Sequence, residues 1–188
     1  MDIQPLLMLT NEAHTALTLL LQAIERGQGD CVAGISECNR RASSALADFH
    51  AQQFRVFVPP LPRAPAAAAA EALHSLVGAI FSVALLLPRS ADMGAHRREE
   101  LRGLGRMSAL LCDTADMLPR FARGKQPPAP DTFRFYAEQN KVRASHALSV
   151  LHGERSLWDR AADESLGMLA HALDEAHRAL LVLMLESV

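Results

Sequence analysis

Cysteine, tryptophan and tyrosine are scarce in this chain, with three Cys, one Trp and one Tyr. Cys31, Cys38 and Cys112 form neither a Cys-x-x-Cys pair nor a Cys/His zinc spacing, which excludes a disulfide scaffold and a zinc module. Cys31 and Cys38 stand two helical turns apart, too far for a bridge within one helix, so they read as reduced core thiols of a cytoplasmic protein. Basic excess is missing too. With 19 Lys and Arg against 21 Asp and Glu the net charge is -2, which offers no electrostatic footprint for nucleic acid. The longest apolar run, Leu76 to Leu87, stops at Pro88, short of the ~20 residues that span a bilayer, and reads as a buried helix rather than a membrane span. The opening MDIQPLLMLTNEAH has no Lys or Arg before its apolar residues, so it is not expected to be a signal peptide. Gly-rich phosphate loops, Gly-x-Ser-x-Gly elbows, His-Glu-x-x-His motifs and paired catalytic carboxylates are all lacking, and the chain is expected not to be an enzyme.

What the chain does have is helical periodicity over 188 residues, a length that buries a core without disulfides or metal. Six segments carry it. The first runs from about Thr10 to Arg26 with a stripe of Ala13, Leu17, Leu20, Leu21 and Ile24, and Gly27 and Gly29 end it. The second starts at an Asp30 cap and carries Ile35, Cys38, Ala42, Ala45, Leu46, Phe49 and Phe54 as far as Pro59-Pro60. A third, Pro65 to Leu87, is apolar nearly all round and is expected to be central. The fourth spans about Ala95 to Phe121. A fifth runs from an Asp131 or Thr132 cap to Leu151, and a sixth from Leu157 to Val188 with a stripe of Leu166, Leu169, Leu173, Ala176, Leu180 and Leu183 or Met184. No β-branched alternation of strand length occurs, so the fold class is all-α.

The connection Phe57-Val-Pro-Pro-Leu-Pro-Arg63, followed by Ala72-Leu73 and an apolar helix, resembles the linker of the PhoU-like, Pit-accessory family. Tyr136-Ala-Glu-Gln-Asn-Lys141, Ala147-Leu148, Leu151 and Leu169 through Asp174 resemble that family's second repeat. The resemblance, which covers roughly Ala13 to Glu186, implies six helices in two three-helix repeats, about residues 1–88 and 95–188, within a single PhoU-like domain. It also implies a cytoplasmic accessory or regulator of phosphate transport, with a membrane phosphate transporter as partner. The family's acidic ExxxD metal motifs are degenerate here. In the first repeat the matching positions hold Asn39, Ser43, His74, Ser75 and Gly78, and Glu37 has Arg41 as its i+4 neighbour. In the second, Glu138 keeps the first acidic place and Val142 stands where the Asp belongs.

Glu138, Asp174 and His177 are the candidate metal ligands, because Asp174 and His177 are three apart on one helix face and Glu138 falls at a comparable level before the last turn. The alternative function they raise is a di-iron, ferritin-like or haemerythrin-like bundle holding iron or another divalent metal. Glu71, His74 and His50 enter that alternative only weakly, since Glu37 and Glu71 lie at different levels of their hairpin. Arg98, Arg102 and Arg106 recur every four residues, with His96 and Arg97 at the start, as a basic line for an acidic partner, phosphate or anionic lipid. The run Ala179 to Leu185 is apolar all round, so a homodimer or docked subunit is expected to cover its surplus face.

Overall fold

Pro5 sets the entry into the first helix, where its missing N–H costs nothing, and Leu6, Leu9, Ala13, Ala16, Leu17 and Leu20 then bury one stripe of α1 (Gln4–Arg26). The stripe begins one turn before Thr10, the expected start: that residue lies inside α1 and its hydroxyl donates to the Leu6 carbonyl at 3.0 Å. The computed structural model describes residues 3–26, 31–55, 61–86, 95–123, 129–151 and 157–187. The predicted stops at Gly27 and Gly29, the Asp30 cap, the linker residues 57–60 and the connections at 88–94, 124–128 and 153–156 lie outside them.

Among the described residues there is no strand, and six long helices with one short turn of helix make up the chain. In α2 (Val32–Arg55) the buried side chains Ile35, Cys38, Ala42, Ala45 and Phe49 follow the predicted stripe. Phe49 is fully buried, and truncating such a ring to Ala costs about 3–5 kcal/mol. Cys31 and Cys38 are buried and unbridged, although Cys31 precedes α2 rather than sharing its face. In α3 (Arg63–Leu86), Ala66, Ala69 and Ala70 give way to Leu73, Leu76, Val77, Ile80 and Val83, all buried. The small alanines admit close neighbours at one end and the larger side chains fill the other. By length and composition α3 is long and apolar enough to cross a membrane, because its alanines add to the Leu76–Leu86 run. Packing against α1, α2 and α7 buries about half of that stretch.

The fourth predicted helix is in fact two. α4 (Ala95–Ala115) ends in a turn and α5 (Leu118–Phe121) follows, because Pro119 has no N–H to continue the ladder. Asp131 caps α6 (Thr132–Leu151) through a 3.0 Å bond from the Arg134 backbone N–H to its carboxylate. The last helix, α7 (Leu157–Leu185), lies along α3, α4 and α6. Leu180, Leu183 and Met184 are buried from within the chain, so most of the Ala179–Leu185 stretch needs no second molecule; Val182 and Leu185 stay exposed.

Packing falls into two sets. α1, α2 and α3 contact one another, as do α4, α6 and α7, and the sets meet where α1 touches α4 and α3 touches α7. Two glycines of α4 permit its close approaches. A Cβ on Gly103 would lie 2.5 Å from Val142 Cγ2 of α6, and one on Gly105 would lie 2.6 Å from Leu21 Cδ1 of α1.

Candidate functional site: a cavity among the fourth, sixth and seventh helices

Helical twist sorts the charged start of α4. Arg97, Glu100, Leu101 and Leu104 turn inward, whereas Arg98, Glu99 and Arg102 face solvent. Arg97 therefore does not open an exposed basic line. Its Nη2 donates to Asp163 Oδ1 at 2.8 Å and to the Asp159 carbonyl at 3.2 Å, while Nη1 reaches Asp159 Oδ1 at 3.2 Å. Asp159 and Asp163 are one turn apart on α7, so a single guanidinium spans both.

One turn along α4 from Arg97, Glu100 is completely buried, and its Oε1 lies 2.8 Å from His146 Nδ1 on α6. Its Oε2 has no hydrogen-bond partner, nor has Oδ2 of Asp163. Burial pushes the Glu100 carboxyl up, and the charge of Asp163 adds to this, against the opposing pull of the His146 contact.

Glu100 and His146 belong to the wall of a cavity of about 360 Å³. Gln139, Val142 and Arg143 complete the α6 side; Gly167, Ala170, His171 and Asp174 form the α7 side. The helices run antiparallel across it. Phe135 stacks on His177 with ring centroids 3.7 Å apart, and His146 lies against Gly167. These two contacts are about 16 Å apart along α6 and about 15 Å along α7, so the pair stays in step past the cavity.

Asp174, only 3% exposed, pairs with Arg178 through Oδ2, and its Oδ1 is without a partner. His177 is buried beneath the Phe135 ring, its Nδ1 also unpartnered, and burial pushes the imidazole down to about 4 although Asp174 pulls the other way. Glu138 sits at the predicted level but on a different azimuth. Its carboxylate faces α4 and accepts from Arg106 Nε at 2.8 Å and from Lys141 Nζ at 2.7 Å, contacts that hold it below the usual carboxylate range. Gln139, its neighbour, is the one that lines the cavity with Asp174. The three candidate ligands thus do not converge, and among the described residues no group of three His, Cys, Asp or Glu is placed to hold a metal ion.

The predicted basic line is also partly consumed. Arg106 binds Glu99 at 2.8 Å as well as Glu138, so one member of the line neutralises one of the proposed metal ligands. Arg102 lies 3.4 Å from Glu25 of α1, with both side chains more than half exposed, and Arg98 is exposed. In the first set, Arg41 pairs with Glu12 at 2.8 Å and with Glu37 at 3.4 Å, and the His50–Glu71 approach is a solvated 3.8 Å contact.

The sequence matches no protein-family model and no curated protein.

Sequence reasoning missed Glu100, His146 and Asp163. A signal was there: Glu100 and Arg97 are three apart, and Asp159, Asp163 and Leu166 continue the buried stripe of α7 toward its start. Charged residues that fall on an apolar stripe are the mark of a buried ionic cluster.

Proposed function

We propose that the chain is a non-enzymatic cytoplasmic accessory or regulator of phosphate uptake, a diverged PhoU-like scaffold that has lost its acidic metal motifs. The matched packing of its two helix sets carries this reading. The pairs α1–α2, α2–α3 and α1–α3 correspond to α4–α6, α6–α7 and α4–α7, and the joining contacts α1–α4 and α3–α7 set two helices of each set against their own counterparts. Duplicated three-helix units related by an internal two-fold would produce this pattern. The Leu61-Pro62-Arg63 end of the linker, with Leu61 buried and α3 beginning at Arg63, supports the same assignment.

As partner we propose a membrane phosphate transporter, and as assembly a homodimer narrowed to the exposed Leu85, Val182 and Leu185. Phosphate uptake measured in cells lacking the protein tests the function. Altered uptake, restored by the wild-type chain, is expected, together with recovery of a phosphate transporter on the tagged chain from solubilised native membranes. Unchanged uptake with no transporter recovered rejects the reading.

A further inference from the structure

The α4–α6–α7 cavity combines two features that belong together. Glu100 and Asp174 line it from different helices, each is more than nine-tenths buried, and each keeps one carboxylate oxygen without a donor. Asp163, behind Glu100, has a third such oxygen. Two of the nearby cations are already committed: Arg97 bridges Asp159 and Asp163, and Arg178 holds the other oxygen of Asp174. Asp159 and Asp163 face Arg97, and Glu100 faces His146; in this buried setting the carboxylate oxygens left without a donor are costly.

Between the two ends the wall is apolar or bare, made by Val142, Gly167 and Ala170. Gly167 beside His146 and Asp174 at the far end are two helical turns apart, about 10 Å. Arg143 and His171 line the rim and are solvent-exposed, so water screens them. A metal ion needs several converging ligands, which the described residues do not offer, whereas an ammonium group needs only acceptors. The volume is at the lower end for small-molecule sites.

We propose that this cavity binds a short aliphatic diamine, with one ammonium on Glu100, the other on Asp174 and the methylene chain against Val142 and Ala170. The assignment stands on the cavity alone and is independent of the phosphate-uptake reading.

Titration calorimetry with putrescine at low ionic strength and neutral pH tests it, paired with amide NMR of the wild-type chain. Saturable one-to-one binding is expected, with shifts at Gly167 and His146. Glu100→Gln and Asp174→Asn should each weaken it about 10- to 100-fold, the range for a charge-assisted hydrogen bond. Glu164→Gln, on the exposed face of α7, should leave it unchanged. Butylamine, with a single ammonium, should bind at least about tenfold more weakly. Absence of heat and of NMR shifts at millimolar putrescine overturns the proposal, as does binding that survives both substitutions or displacement of putrescine by equimolar Mg²⁺ or Mn²⁺. Should Glu100→Gln fail to fold, Asp174→Asn and the wild-type NMR shifts decide alone.

Discussion

In α1, α2 and α3 the single buried polar side chain among the described residues is Thr10, bonded to its own helix; in α4, α6 and α7, Arg97, Glu100, Glu138, Gln139, Asp159, Asp163, Asp174 and His177 are all buried. The two sets pack in the same order yet fill their interiors with different chemistry. The contrast is sharpest between α2 and α6. α2 buries Ile35, Cys38, Ala42, Ala45 and Phe49 along most of its length, whereas the buried residues of α6, Phe135, Glu138, Gln139 and Val142, stop near its middle. One set is held by apolar burial, which is indifferent to pH. The other depends on matched charges, which makes it sensitive to single neutralisations and able to recognise a charged group.

The largest effect expected from breaking that contrast is at Arg97. Replacing it with Met removes the guanidinium that bridges the buried Asp159 and Asp163 and should destabilise the protein by about 3–5 kcal/mol in denaturant unfolding. Adding Asp159→Leu and Asp163→Leu removes the two carboxylates as well, and most of the loss should return. Arg41→Met, on the half-buried two-bond pair with Glu12 in the first set, should cost less, about 1–2 kcal/mol, because both side chains keep some access to water. Equal losses at Arg97 and Arg41 would refute the contrast.

Next come the two glycines of α4. Ala in place of Gly gains about 1 kcal/mol of helix propensity, against the contact that the new methyl must displace. At Gly103 the obstacle is a γ-methyl of Val142, a β-branched side chain with little freedom to turn, so Gly103→Ala should be net destabilising by about 1–2 kcal/mol. At Gly105 the obstacle is the far end of the flexible, half-buried Leu21, and Gly105→Ala should stay within about 0.5 kcal/mol of wild type. Thermal unfolding of the two variants in one buffer separates them.

Acid should expose the second set before the first. His177 has an ordinary value of 6.5 and is held near 4 in the fold, so between those values the unfolded chain binds the extra proton. Stability therefore rises with pH across this window and is lost as pH falls from about 6.5 toward 4, by about 3 kcal/mol. His177→Gln should flatten that loss in urea titrations. Glu100 works in the opposite direction: its raised value favours the folded state below the ordinary 4.5, and that contribution fades as pH rises past the folded value. Comparing His177→Gln with Glu100→Gln separates the two slopes.

Much of the helix framework was legible because apolar side chains at three-and-four spacing can be buried only one way. The stripes of α1, α2 and α7 coincide with the buried residues at Leu17, Phe49 and Leu173. Boundaries failed where local chemistry competes with periodicity, as at Thr10, a residue type suited to caps that sits mid-helix, and at Pro119, which splits a continuous stripe. The site was less legible. Glu138 and Asp174 share a level, which rise per residue predicts, but whether two carboxylates converge depends on helix rotation about the bundle axis, and a single sequence does not contain that rotation. Arg106 was read as solvent-facing because it follows Arg98 and Arg102, yet its partners Glu99 and Glu138 come from its own helix and from a neighbour more than thirty residues away.

That basic line supplies the smallest expected effect. Arg102 and Glu25 are both more than half exposed at 3.4 Å, so their attraction is screened by water and offset by the entropy of two long side chains; Arg102→Ala should change stability by no more than about 0.5 kcal/mol. Arg106 differs in having two acidic partners, Glu99 and Glu138, each at 2.8 Å, and above all in the burial of Glu138. Glu138 is 11% exposed at the side chain, and although Lys141 still reaches it, loss of the guanidinium removes one of two charge-assisted bonds to a poorly hydrated carboxylate. Arg106→Ala should cost about 1 kcal/mol, and added salt should narrow the gap between the variants less than it narrows the Arg102 effect itself. Unfolding curves of both variants at low and high salt measure this. If Arg106→Ala is as mild as Arg102→Ala at every ionic strength, Glu138 is as well hydrated as a surface acid, and the charged interior of the second helix set ends at Glu100 rather than extending along α6.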